Sequence, residues 1–229
     1  MHPLVKKLAG QTAVYGLSSI LGRLLNYLLV PLHTRIFDPA AYGVVTEFYA
    51  YASFLAIVFT YGMETAFFRY TTLEENKKKV YDTALASLLV STLTLVTLLI
   101  VFAQPIADLL RYPDQSEYII WFALILGLDA LVAIPFARLR QENRPVKFAT
   151  FKLVNILTNV GFNLFFLLLC PYLLSIPQFP LQDFIKAIYH PEIGVGYVFI
   201  SNLLGSIFTL AVFMPRYIFI GKWEIKKEL

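Results

Sequence analysis

The chain has 229 residues, of which 58% are hydrophobic and 15% charged, whereas ordinary soluble domains are about 45–50% apolar and about 25% charged. That excess excludes a disordered chain and argues against a water-soluble globule. The net charge of +4 does not point to nucleic acid, because the basic residues lie in short segments between long apolar runs, the pattern that orients a membrane protein.

Six apolar runs exceed the roughly 17 residues that a helix needs to cross a bilayer core. The first covers 10–32. It is too long for a cleaved signal, Arg23 interrupts it, and no small-residue cleavage site follows before Asp38-Pro39. Within it Thr12, Gly16, Ser19, Arg23 and Asn26 recur at steps of four and three, on one helical face. The second run, 42–67, carries Thr46, Ser53, Thr60 and Glu64 on one stripe, with Glu47 beside it. The third covers 81–103, and residues 104–116 after it are short and partly amphipathic, suited to a membrane interface.

The fourth run, 117–137, holds Asp129 near its middle. The fifth, 149–173, continues a stripe of Lys152, Asn155, Asn159 and Asn163 and contains Cys170. Residues 174–195 form the longest polar connection, broken by Pro177, Pro180 and Pro191. Its middle, Leu181–Tyr189, reads either as one or two amphipathic turns or as a plain surface loop. The sixth run, 196–215, adds Asn202, Ser206 and Thr209 at steps of four and three. Backbone groups in lipid must be satisfied within a segment, so these runs are helices, and none alternates as a barrel strand does.

Charge predicts the orientation. With the N-terminus inside, the inner segments hold Lys6, Lys7, Arg69, Lys77, Lys78, Lys79, Arg138, Arg140, Arg144, Lys147, Lys152, Arg216, Lys222, Lys226 and Lys227. The outer segments hold only Arg35, Arg111 and Lys186. The expectation is an all-α, polytopic bundle of six spans with both ends inside.

An ionisable group inside a bilayer costs about 2.5–3.5 kcal/mol on insertion scales and usually faces a bundle interior or a watery cavity. Arg23, Glu47, Glu64 and Asp129 are such groups. Two readings of the polar stripes stand: they surround a hydrated cavity, or they pack and hydrogen-bond between helices. A guanidinium suits bidentate phosphate recognition; pairing of Arg23 with Glu47, Glu64 or Asp129 is the alternative. Glu64 and Arg69 also read as a solvated helix end. His2, His33 and His190 are scattered, and Cys170 lies in an apolar run, so no metal set, disulfide framework or cofactor is expected. There is no metalloprotease, nucleophile-elbow or phosphate-loop motif, and no enzyme is expected.

Several segments resemble the opening of the bacterial polysaccharide transporters. They are Gly16-Leu-Ser-Ser-Ile-Leu-Gly-Arg23, Pro31-Leu-His-Thr-Arg35, Asp38-Pro-Ala-Ala-Tyr-Gly43 and Gly62-Met-Glu-Thr-Ala-Phe-Phe-Arg69. The stretch Arg138-Leu-Arg-Gln-Glu-Asn-Arg144 with Phe151-Lys-Leu-Val-Asn155 resembles the link between that family's fourth and fifth helices. These are the O-antigen and capsule repeat-unit flippases of the multidrug/oligosaccharidyl-lipid/polysaccharide exporter superfamily.

The resemblance implies two six-helix lobes around a cavity of alternating access, of which residues 1–229 would form the N-terminal one. The partners it implies are a lipid-linked oligosaccharide, membrane lipids, and a C-terminal lobe or second copy. The place is the bacterial cytoplasmic membrane. Related lipid II flippases carry first-helix arginines that attract a diphosphate, and Arg23 holds a similar place. By that resemblance Arg23 would take diphosphate, and Asn26, Asn155 and Asn159 would offer hydrogen bonds to sugars. Glu47, Glu64 and Asp129 would serve cation coupling or internal pairing. A cation-coupled drug exporter and a non-transporting membrane scaffold are the rival readings.

Overall fold

The computed structural model describes residues 3–177 and 180–213, and the side chains of all of these except 3–13 and 19. Among the described residues every regular element is helical. The side chains of Lys6, Lys7, Thr12 and Ser19, and the basic residues Arg216, Lys222, Lys226 and Lys227, lie outside what is described.

The first apolar run forms α1 (Pro3–Tyr27) and α2 (Leu29–Ile36). The second begins at α3 (Pro39–Thr60), where the Asp38 carboxylate accepts the Ala41 N–H at 2.8 Å and Pro39 takes the first turn. It breaks before α4 (Met63–Leu73): Tyr61 and Gly62 adopt positive φ of 33° and 73°. A residue without Cβ is what allows the second of these. The third run is α5 (Lys77–Val101), capped by the Asn76 side chain on the Lys79 N–H. The segment expected at the interface contains the short α6 (Ala103–Leu109), and α7 (Ser116–Gln141) is the fourth run.

The fifth run starts as α8 (Pro145–Leu164), passes through one π turn at Phe165–Leu169, and ends as α9 (Cys170–Ser175). Pro171 has no N–H and its ring crowds the preceding turn. The Cys170 N–H reaches back five residues to the Phe165 carbonyl, which widens the helix there. Of the two readings of Leu181–Tyr189, the helical one holds, since Gln182–Ile188 forms α10. The last described helix is α11 (Gly196–Phe213).

Five helical stretches are long and apolar enough to cross a membrane: Pro39–Leu73, Lys77–Val101, Ser116–Gln141, Pro145–Ser175 and Gly196–Phe213. The 10–32 run is helical but is not among them, because Gln11, Arg23 and Asn26 dilute it. Leu17, Ile20, Phe54, Ile57, Val90 and Leu93 expose more than half their surface. A coat of large apolar side chains on this scale belongs against lipid.

Helix α7 is the most enclosed. It packs against α3, α5 and α11, while α11 also packs on α8, and α8 carries α1. At one end Phe48, Tyr118, Phe122 and Phe199 interlock, with the Phe122 and Phe199 ring centroids 4.8 Å apart. At the other end, rich in Arg and Lys, Phe136, Phe148 and Phe213 pack between α7, α8 and α11. The α8–α11 seam is tight: a Cβ on Gly205 would meet the Asn155 carbonyl at 3.3 Å.

Candidate functional site

Helix α1 leans on α8 through its small residues. A Cβ on Gly22 would fall 2.5 Å from the Ile156 Cδ1, so the Ile156 side chain packs directly against the Gly22 backbone. Because Gly22 and Ser18 are buried, the face one step round carries exposed Gly16, Arg23 and Asn26. The polar stripe of α1 therefore points out of this bundle rather than into its packing.

All three carboxylates that were available to Arg23 hold other partners. Glu47 accepts the Tyr51 hydroxyl at 2.7 Å and the Tyr112 hydroxyl at 2.6 Å. Glu64 pairs with Arg140 across α4 and α7. Asp129 accepts the Ser206 hydroxyl at 2.7 Å. Arg23 has no ion pair among the described residues. It sits within electrostatic reach of Lys152, as do Arg140 and Glu64. The Lys152 ammonium lies 5.8 Å from the Phe148 ring, and the Arg140 guanidinium 5.5 Å from both the Phe68 and Phe148 rings. Three cations with a single carboxylate thus converge at the basic end of the bundle.

Above this cationic region the α8 asparagines make two separate sets of hydrogen bonds. The Asn155 amide donates to the Gly205 carbonyl at 3.1 Å and to the Thr209 hydroxyl at 2.7 Å, tying α8 to α11. The Asn163 amide donates to the Asn159 side chain at 2.9 Å. Buried His33 of α2 meets the Asn163 Oδ1 at 3.0 Å; since that oxygen accepts, His33 Nε2 carries the proton. Asn159 and Asn155 are partly buried.

A second polar group opens among α3, α7 and α11. The Asn202 amide donates to the Tyr49 hydroxyl at 3.0 Å, and Ser206 one turn on serves Asp129. Asp129 stays exposed although the positions flanking it on α7 are enclosed. The Ser206 hydroxyl holds one of its oxygens and ties α7 to α11.

The α3 stripe does neither job assigned to such stripes. The hydroxyls of Thr46, Ser53 and Thr60 donate to carbonyls of their own helix, three or four residues back, at 2.7–2.8 Å. Glu47 works at the opposite end from the cations, where it joins α3 to the turn after α6. Its carboxylate pushes the Tyr112 phenol up to about 12, because ionising that phenol would sacrifice the hydrogen bond. Sequence reasoning dismissed His33 as isolated; its partner is 130 residues away, and no local signal marks it. No group of three His, Cys, Asp or Glu able to hold a metal occurs among the described residues.

A family model described as "Polysaccharide biosynthesis protein" matches residues 32–175. No curated protein and no solved structure matches the chain. The matched stretch includes Glu47, Glu64, Asp129, Asn155 and Asn159; Arg23 and Asn26 precede it.

Proposed function

Because the chain belongs to the family of polysaccharide biosynthesis proteins, we propose that it moves an undecaprenyl-diphosphate-linked oligosaccharide across the bacterial cytoplasmic membrane, as one lobe of a flippase. The helices that are long and apolar enough to span make it a multi-pass membrane protein of polysaccharide biosynthesis. In this reading both chain ends face the cytoplasm, and the basic end of the bundle meets the inner leaflet. The exposed stripe of α1 faces a second six-helix unit, either another lobe or another copy.

The observation that carries the reading is Arg23: an exposed guanidinium partway along α1, which this reading sets in the membrane beside α8, with Lys152 nearby and every candidate carboxylate engaged elsewhere. Leaving such a charge uncompensated in lipid is costly. A diphosphate entering from the inner leaflet compensates it, and the planar fork binds two phosphate oxygens at once. Asn26 is free to meet the first sugars, and Asn155 and Asn159 lie deeper, at the α8–α11 seam. No bond is made or broken; transport follows from unequal binding in two arrangements of the lobes. Asp129 is the group suited to cation coupling, since it is an acid in the middle of a spanning helix and joins two helices through Ser206.

The test is transport of a labelled lipid-linked sugar in a strain that depends on the complete assembly. Arg23→Ala is expected to slow transport at least tenfold and Arg23→Lys less, because the lysine keeps the charge but not the fork. Normal transport by Arg23→Ala overturns the diphosphate role. Export of cationic drugs that survives Arg23→Ala but fails in Asp129→Asn identifies the drug-exporter alternative.

A further inference from the structure

Helices α4 and α5 form a hairpin whose turn lies at the basic end of the bundle. Between them runs an open cavity of about 390 Å³, within the range of small-molecule sites. Ala66 and Phe67 wall it from α4, and Val80 and Ala84 from α5. Its mouth carries two opposite charges, Glu74 and Lys79. At its far end the Tyr61 hydroxyl meets Ser87 at 3.1 Å and Ser91 at 3.3 Å, closing the hairpin. From Asn76 to Ser87 the channel is about 16 Å deep at the helical rise per residue.

We infer that this crevice holds one acyl chain of a phospholipid whose headgroup carries both an ammonium and a phosphate, the phosphoethanolamine class. Met63, Ala66, Phe67, Val80 and Ala84 give the crevice a largely apolar wall, with Tyr70, Thr83 and Ser87 bordering it. An acyl chain is the apolar matter at hand at that depth of a membrane. The headgroup follows from charge complementarity. Neither Glu74 nor Lys79 has an ion pair among the described residues. Lys79 meets the phosphate, and Glu74 accepts hydrogen bonds from the primary ammonium. The turn Glu74-Glu75-Asn76-Lys77-Lys78-Lys79 carries both signs, so a headgroup with an ammonium and a phosphate meets a partner for each of its charges. The inference rests on membrane embedding and on this hairpin alone, so it stands or falls apart from the diphosphate role of Arg23.

The test counts lipid adducts by native mass spectrometry on the purified full chain. Phosphatidylethanolamine, phosphatidylcholine and phosphatidylglycerol with the same acyl chains are added in turn. The first is expected to be retained at least threefold over the other two, since a trimethylated ammonium cannot donate and a glycerol headgroup has none. Glu74→Gln abolishes that preference, Lys79→Gln lowers retention of all three, and Ala66→Phe, which fills the crevice, does the same. Should Ala66→Phe fail to fold, the two exposed mouth variants still decide. Equal retention of the three lipids, or a preference that survives Glu74→Gln, overturns the inference. So does a shift between monomer and dimer with lipid adducts unchanged, which marks the crevice as a contact between copies.

Discussion

The two ends of the bundle are built on opposite principles. At the aromatic end Phe48, Tyr118, Phe122 and Phe199 interlock, and Glu47 is held by two phenols. At the basic end, among the described residues, Arg23 and Lys152 have no ion pair and the Arg140 Nε is buried without a hydrogen-bond partner, and a crevice separates α4 from α5. Unsatisfied charge is expensive in a membrane, so in the proposed reading the basic end binds the substrate, while the other end holds the helices in register.

The sharpest way to break this contrast is at Arg23. In the proposed reading Arg23→Ala lowers transport tenfold to a hundredfold, equivalent to about 1.4–2.8 kcal/mol, and leaves thermal unfolding of the detergent-purified protein unchanged. At the aromatic end the reverse is expected. Phe199 is fully enclosed, and Phe199→Ala leaves a cavity costing about 2 kcal/mol. The usual additional transfer cost is missing because the unfolded segment stays in lipid. A melting midpoint that does not fall shows that this cluster is not the clamp.

Between these lies the α7–α11 bond. Ser206→Ala removes a single interhelical hydrogen bond, and such bonds average about 0.6 kcal/mol in membranes. A drop of several kcal/mol in unfolding free energy shows instead that Asp129 carries a structural load. The smallest effect is at Tyr112. With its phenol at about 12 against an ordinary 10, the protonated form is favoured by folding. The contribution is complete below about pH 10 and is lost as pH rises toward 12. Spectrophotometric titration of the wild type against Tyr112→Phe should show one tyrosine ionising late, and Glu47→Gln should bring it back toward the others.

Much of the architecture could be read before any coordinates. Long apolar runs in lipid have few solutions, so runs 42–67, 81–103, 117–137, 149–173 and 196–215 each reappear as helix, with 196–215 described to Phe213. The breaks inside them were harder. Gly62 sits in an apolar context that hides a left-handed turn, and the π turn before Pro171 depends on how one proline is accommodated. The site was legible only in outline. A helical wheel puts Arg23 and Asn26 on one face of α1 but does not say which face is buried; the contact of Gly22 with Ile156 settles that. Which carboxylate meets which partner depends on tertiary neighbours, as with Glu64 and Arg140, 76 residues apart in the chain. The same holds for His33 and Asn163.

The most direct measurement asks whether the position of Arg23 is wet. With Cys170 replaced by alanine, Arg23→Cys in intact membranes is exposed to a hydrophilic, membrane-impermeant thiol reagent added from either side. The account predicts modification from the cytoplasmic side, slowed by a soluble diphosphate-linked sugar. A thiol at that position reached only by lipid-soluble maleimides, from either side alike, places it among acyl chains and contradicts the account.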